Sequence, residues 1–204
     1  MTAGEARLRD TEATRAAILG AAISIFASRG FVGASMRDIS DASGISKPVI
    51  YYHFGSKEAL YAAVKQRLIA DCDRQSGRIN RAEERPADPR AELWRLFETF
   101  RDHEALLRIC AWSRLEGGPA GGPGETGLMQ ALRRRLELAQ EQRIIRSDID
   151  PGNLTVMLVA LVAFWLEGRS DADGVVAGGP DDPAYLRQAI ALVERGLSPN
   201  REFP

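Results

Sequence analysis

The sequence predicts an all-α protein of about nine helices arranged in two domains. Apolar residues recur at helical spacings of three and four along most of the 204 residues, and we find no convincing strand pattern. Each of Asp88-Pro89, Asp150-Pro151 and Asp182-Pro183 joins a helix-capping residue to a proline suited to a first helical turn. With 45% hydrophobic residues, the chain can bury a substantial core.

The first predicted helix begins at Thr11, a capping residue, and runs to about Arg29. Gly30 is expected to end it, and Phe31 to enter the core of the N-terminal domain. The inner stripe of this helix is formed by apolar residues at helical spacing: Ile18, Ala22, Ile25 and Phe26.

Residues 35–57 contain signals for two short helices joined by a tight turn. Ser35 and Asp38 have the spacing of a capping box at the start of the first helix. Gly44 follows that helix, where a left-handed residue is favoured. Ser46 is placed to cap the second helix, which Gly55 ends. This pattern is a helix-turn-helix.

The outward face of the second short helix has side chains suited to DNA. Lysine, histidine and tyrosine can donate to phosphates, whereas apolar and aromatic surface suits thymine methyl groups. Lys57 begins the next helix, where backbone N–H groups and positive charge favour a phosphate. The alternative is that Tyr51, Tyr52 and Phe54 are core aromatics. We favour the core for Phe54 and the DNA face for the two tyrosines.

The same residues resemble a known family. The series Thr14, Ile18, Ala22, Phe26, Gly30, then Ser35, Ile39, Ala42, Gly44-Ile45-Ser46, then Ile50-Tyr51-Tyr52-His53-Phe54 and Ser56-Lys57-Glu58-Ala59-Leu60 is similar to the TetR family of bacterial transcriptional regulators. The resemblance covers about the first quarter to a third of the chain. It implies a homodimer, a palindromic operator in double-stranded DNA, and control by a small molecule.

The resemblance also implies which residues meet DNA. Positions Ser35 to Arg37 approach it from the first helix of the motif, although Met36 stands where many members have a small hydroxyl residue. The recognition helix follows, and Lys57 binds the DNA backbone. The predicted DNA-binding residues are Ser35, Arg37, Ser46, Lys47, Pro48, Val49, Tyr51, Tyr52, His53 and Lys57. Residues 1–10 are interpreted as a frayed tail or as an arm that adds DNA contacts.

From Lys57 a long helix continues at least to Cys72 and connects the N-terminal domain to the rest of the chain. Residues 75–88 are charged and are expected to be a helix end and linker. Five further helices are predicted. The first covers 89–100, and the second follows it and ends at about Glu116. The third covers 126–145, the fourth begins at Pro151, and the fifth covers 182–196. The basic run at 133–135 is expected to be a solvated face rather than a second nucleic-acid site.

The segment from Val156 to Leu166 is apolar on every side, so one side of that helix needs a partner. We therefore expect a four-helix dimer interface in which each chain contributes this helix and the one at 182–196. At eleven residues the segment is too short to span a bilayer, and no signal peptide is recognised. A cytoplasmic protein without a membrane partner is expected.

Composition excludes several other functions. The net charge is −1, and residues 1–60 carry seven basic and six acidic side chains, so DNA binding must depend on local placement. Two cysteines and two histidines form no disulfide framework or metal cluster, and we predict no cofactor and no metal. No nucleophile–base pair is evident, so an enzyme is not expected.

The sequence therefore predicts a helix-turn-helix domain at residues 1–56 and a ligand-binding and dimerisation domain at 57–204. The resemblance implies the function of a repressor released by a small molecule, and we expect that effector to be apolar or aromatic. The alternatives are a helical dimeric ligand-binding or scaffold protein without DNA binding, and an enzyme that uses the C-terminal domain. For each candidate effector contact we favour core packing over ligand binding; the candidates are Trp94, Phe97, Phe100, Leu107, Trp112, Met129, Met157, Leu161, Phe164 and Trp165.

Overall fold

The computed structural model describes residues 3–76, 85–117, 123–169, 174–176 and 179–199. Within these ranges the regular structure is helical and no strand occurs, which confirms the predicted all-α class. The nine helices of this part are α1 (Ala3–Gly33), α2 (Met36–Ser43), α3 (Lys47–Phe54), α4 (Lys57–Ser76), α5 (Pro89–Asp102), α6 (Glu104–Leu115), α7 (Pro123–Glu141), α8 (Pro151–Glu167) and α9 (Asp182–Leu197).

The chain forms two compact units. The first comprises Met1–Asp71 and Ala105–Gly124, so that α6 packs with the N-terminal helices. The second comprises Cys72–Glu104 and Glu125–Pro204. These units are defined by packing, whereas the predicted boundary after residue 56 divides the chain by function and stays a prediction.

The core of the first unit is built by the helical stripes that the sequence indicates. Ile18 and Phe26 of α1 are fully buried, as are Ile39 of α2, Ile50 of α3 and Leu60 of α4.

The part of α1 from Thr11 to Gly33 is long and apolar enough to cross a membrane. Core helices of soluble proteins meet the same criteria of length and composition.

Helix α1 does not stop at the predicted glycine. Gly30 adopts φ 71° and ψ −176°, which interrupts the helix, and the chain then resumes a helical course to Gly33. The left-handed φ explains why a glycine occupies this position. The prediction that Gly30 ends the helix is therefore correct for the interruption and wrong for the end point.

The second unit is organised around α5, which packs against both α8 and α9. Its buried residues include Leu93 and Phe97 on α5, Leu158 on α8 and Leu186 on α9. Two of the three predicted Asp-Pro starts are capped by a carboxylate: Asp88 accepts from the Arg90 N–H, and Asp150 accepts from the Asn153 N–H.

Candidate nucleic-acid interface

The start of α2 is fixed by the predicted capping box. The Ser35 hydroxyl accepts from the Asp38 N–H at 3.1 Å, and the Asp38 carboxylate accepts from the Ser35 N–H at 3.1 Å. The hydrogen bond from Ser35 holds the pKa of Asp38 below its usual value, and Arg29 lies 3.0 Å from the same carboxylate. Ser35 therefore caps the start of α2, and an ion pair links this end of the helix to α1.

The turn between α2 and α3 is held by local hydrogen bonds. Gly44 takes φ 69°, as the position after a helix favours. The Ser40 hydroxyl donates to the Ile45 carbonyl at 2.7 Å, and the Ile45 N–H donates to the Ser43 hydroxyl at 3.2 Å. Ser46 occupies the N-cap position of α3, but its side chain makes no capping hydrogen bond to the described residues of that helix.

Helix α3 presents its aromatic residues to opposite sides. Ile50 and Phe54 are buried, whereas Tyr52 is 85% exposed and Tyr51 is 46% exposed. Phe54 thus belongs to the core, as predicted, and the two tyrosines point outward. The ring of half-buried His53 lies edge-on to Tyr52, with their centroids 5.5 Å apart.

The predicted DNA-contact residues Arg37, Lys47, Pro48 and Val49 are all exposed on α2 and α3. Arg37 is largely exposed and lies 3.8 Å from Asp41 in an i,i+4 pair. Met36, which is not among the predicted DNA contacts, is buried, so its side chain belongs to the core. Its long apolar side chain explains the difference from a small hydroxyl residue.

Lys57, at the first position of α4, has a partner that the sequence did not indicate. Its ammonium group lies 4.5 Å from the centroid of the Phe31 ring, a cation–π geometry. The Ser56 hydroxyl accepts from the Ala59 N–H at 3.1 Å and caps the helix. In the sequence, Phe31 directly follows Gly30, which suggests a ring at the end of the first helix. Nothing in the sequence indicates that this ring lies beside Lys57.

The second unit contains a small cavity of about 30 Å³ between α5 and α7. A space of this size admits water but not a drug-sized ligand. The polar part of its wall is a charged cluster and a threonine, and the rest is apolar. The cavity is lined by Glu92, Arg95, Leu96, Thr99, Ala131, Leu132 and Arg135.

The charged cluster is a buried ion pair with a second arginine. Arg135 Nη2 lies 2.6 Å from Glu92 Oε1, and Arg95 Nη1 lies 3.1 Å from Glu92 Oε2. Burial raises the pKa of the Glu92 carboxyl and lowers that of the Arg135 guanidinium, while their attraction opposes both shifts. The expectation of a solvated basic face is therefore wrong for Arg135. Arg135 lies three residues after Leu132 and directly before Leu136, both on the inner stripe of α7. This spacing could have indicated that Arg135 is buried.

The ten candidate effector contacts are not gathered at this cavity, and their role stays a prediction. Four are buried in the core, namely Phe97, Phe100, Leu107 and Trp165. Three are half-buried: Trp112, Met129 and Leu161. Three are exposed: Trp94, Met157 and Phe164.

Trp165 and Tyr185 stack in parallel, with ring centroids 4.1 Å apart. The Trp165 indole N–H donates to Asp182, and the Tyr185 hydroxyl donates to the Leu161 carbonyl. Burial raises the pKa of Tyr185 above its ordinary value. These bonds occupy the polar atoms of both rings, so the pair joins α8 to α9 as a structural contact.

Comparisons with known proteins cover both parts of the chain. Residues 18–64 match the family model of bacterial regulatory proteins of the tetR family, and residues 93–195 match a tetracyclin repressor-like C-terminal domain. The HTH-type transcriptional repressor SCO4008 of Streptomyces coelicolor is 31% identical over 196 residues, which cover 93% of this chain and 97% of that protein.

Solved structures with the same fold also match over nearly the whole chain. The crystal structure of SCO4942 from Streptomyces coelicolor superimposes with a TM-score of 0.70 at 25% identity, over 91% of this chain and 99% of that one. A gamma-butyrolactone receptor, described as an ArpA-like protein, superimposes with a TM-score of 0.66 at 25% identity, over 94% of this chain and 91% of that one.

Proposed function

Because the chain belongs to the TetR family of bacterial transcriptional regulators, which are not enzymes, we propose that it is a repressor controlled by a small molecule. In this proposal a homodimer binds a palindromic operator, and a small apolar or aromatic effector releases it. The cytoplasm is the proposed location. The name of SCO4008 as a repressor supports the direction of control, and that of the gamma-butyrolactone receptor supports a small-molecule ligand.

The outward face of α3 is the observation that carries the DNA-binding part. Tyr51 and Tyr52 are exposed although aromatic side chains are usually buried, and Lys47 stands at the start of the same helix. Exposed rings and a cation on one short helix suit base edges and phosphates of the major groove. The proposed DNA contacts are the ten residues predicted from the sequence, with the two tyrosines at the centre.

An exposed apolar surface on α8 supports the homodimer. Val156, Met157 and Phe164 lie on one side of that helix and are each more than half exposed, whereas Leu158 and Val162 face the core. Monomeric proteins rarely leave such a stripe in contact with water. On α9, Leu192 is 69% exposed. We propose that both helices meet their copies across a two-fold axis, which would give a palindromic operator matching symmetry.

The effector is proposed to bind among the helices of residues 89–166. The cavity between α5 and α7 is too small for it in this conformation, and we propose that effector binding separates helices of this region. A ligand that favours the separated arrangement shifts the protein toward it in proportion to its differential affinity. Such a change is what relief of repression needs.

Retention of genomic DNA tests the proposal. The purified protein would be mixed with sheared DNA from the genome that encodes it, and the retained fragments sequenced. We expect enrichment of an inverted repeat whose half-sites lie about 10–10.5 base pairs apart, or a multiple of that. A variant with Lys47→Ala and Tyr51→Ala serves as the matched control and should lose the enrichment. The absence of any enriched fragment would instead favour a ligand-binding or scaffold protein without DNA binding, and equal enrichment by both proteins would contradict Lys47 and Tyr51 as DNA contacts.

A further inference from the structure

The interruption of α1 at Gly30 frees the Ala27 carbonyl from its helical hydrogen bond, and side chains of α6 replace that donor. In an unbroken helix the Phe31 N–H would donate to the Ala27 carbonyl four residues earlier. The Ala27 carbonyl accepts instead from Arg108 Nε at 2.9 Å and from Trp112 Nε1 at 3.2 Å. Buried backbone groups require such partners, so α6 stabilises the interrupted form of α1.

Glu116, just after the end of α6, binds the other side of the interruption. Its carboxylate accepts from the Phe31 N–H at 2.9 Å and from the Val32 N–H at 3.0 Å. A Cβ atom on Gly30 would lie 2.2 Å from Glu116 Oε1, so the carboxylate is packed directly against the glycine. One acidic side chain therefore fixes the backbone on which the Phe31 ring is carried.

The Phe31 ring in turn supports the proposed phosphate-binding lysine. It packs against Tyr61 with centroids 5.1 Å apart, and the Lys57 ammonium lies over it at 4.5 Å. The Tyr61 hydroxyl is 2.8 Å from the Ser113 hydroxyl of α6. A free lysine side chain samples many rotamers, and ordering it at a phosphate costs entropy. A ring that already holds the ammonium group lowers that cost.

We infer that Glu116 is a positioning residue for DNA binding, acting through Phe31 on Lys57. The inference rests on the proposed function, because it assigns Lys57 to the DNA backbone. Glu116 belongs to the segment that matches the C-terminal family model, whereas Lys57 belongs to the N-terminal one. A residue outside the helix-turn-helix thus sets how one of its cations is presented.

A double-mutant cycle tests this assignment. Glu116→Gln, Lys57→Ala and the double variant would be titrated against a random-sequence fluorescent duplex and a retained genomic fragment, by anisotropy at several salt concentrations. Glu116→Gln should weaken binding to both duplexes by about tenfold, the scale of one charge-assisted hydrogen bond. It should also lower the salt slope by about one. With Lys57→Ala already present, Glu116→Gln should change affinity less than twofold.

Two further variants control for general damage to the fold. Leu115→Gln alters the exposed residue next to Glu116, at the end of α6, and should bind like the unmodified protein. Phe31→Leu keeps apolar bulk but removes the ring, and should reproduce the lower salt slope while circular dichroism shows a folded protein. A lower salt slope in both Glu116→Gln and Phe31→Leu, each still folded, would separate positioning of Lys57 from loss of stability.

Three results would overturn the inference. The first is unchanged affinity of Glu116→Gln, and the second is an unchanged salt slope in Phe31→Leu. The third is an equal fold loss from Glu116→Gln with and without Lys57, which would mean that Glu116 acts on the whole domain. Failure of the proposed function has a different signature, since Lys57→Ala would then bind both duplexes as the unmodified protein does.

Discussion

Tyr51 and Lys57 are expected to contribute different parts of DNA binding. Tyr51 lies on the outward face of α3 and is proposed to touch base or sugar edges, whereas Lys57 is proposed to bind a phosphate. Tyr51→Ala should reduce operator affinity and discrimination together. Lys57→Ala should weaken binding to all sequences alike and lower the salt slope by about one. Anisotropy titrations with operator and random duplexes measure both effects, and unchanged affinity in both variants would contradict the DNA assignment.

At the scale of single residues, the sequence was informative wherever a local signal decided the outcome. Capping spacing located Ser35 and Asp38, and helical period separated buried Phe54 from exposed Tyr52. It failed where the partner lies far along the chain. Neither the Glu92–Arg135 pair nor the contact of Glu116 with the N–H of Phe31 follows from local spacing, because each joins residues more than forty positions apart.

Helices α5 and α7 are joined by the buried Glu92–Arg135 pair, and breaking it on one side should be costly. Arg135→Met leaves the Glu92 carboxylate buried with only Arg95 beside it, and should lower the free energy of unfolding by about 3–5 kcal/mol. Replacing both residues together, with Glu92→Leu and Arg135→Met, should recover most of that loss, since a well-packed apolar pair is often as stable. Urea denaturation at one fixed protein concentration measures this.

The matched control for this pair lies on the same helix. Arg133 pairs with Glu137 at 3.0 Å but is more than half exposed, so Arg133→Met should cost at most about 1 kcal/mol. The account of the cluster would be contradicted if Arg135→Met cost as little as Arg133→Met. It would also be contradicted if the double variant were less stable than the single one.

Helix α8 shows what an apolar segment can and cannot reveal in a sequence. The run from Val156 to Leu166 indicated a helix without a face for water, but not which side meets the chain's own core. The structure buries Val162 and exposes Phe164. This orientation depends on how α8 packs against α5, which is a tertiary contact that periodicity cannot specify when every residue is apolar.

The exposed side of α8 should be the place where a charge disrupts assembly. Phe164 is 72% exposed, and Phe164→Arg would place an unpaired charge in the proposed interface twice, once from each chain. Analytical ultracentrifugation should show a dimer for the unmodified protein and a monomer for this variant. Val175→Arg is the control, because Val175 is also apolar and exposed but lies outside both helices. A dimeric Phe164→Arg protein would place the interface elsewhere.

For the molecule as a whole, the class and order of helices could be predicted because caps, glycines and helical period are local properties. The packing of α6 with the N-terminal helices could not, since it depends on contacts of Arg108, Trp112 and Glu116 with a distant interruption of α1. The sequence resemblance covered about the first quarter to a third of the chain, and the C-terminal family became evident only through comparison with known proteins.

In the proposed mechanism, the effector site is coupled to the recognition helices of the two chains. Helix α4 continues from the first compact unit into the second and is the proposed route. Half-sites on one face of DNA lie about 34–36 Å apart, or a multiple of that, so a shift of a few ångströms prevents simultaneous docking. Linkage requires the effect to be reciprocal, because an effector that weakens operator binding must itself be bound more weakly on operator.

Calorimetric titration of the effector with and without operator tests ligand-controlled DNA binding most directly. The effector would be sought among compounds related to the pathway whose promoter the protein retains. We predict that a saturating operator weakens effector binding by about 5- to 150-fold, the usual range of coupling between two sites. Equal effector affinity in the two titrations would contradict the account, because the ligand site would then have no control over the DNA-binding helices.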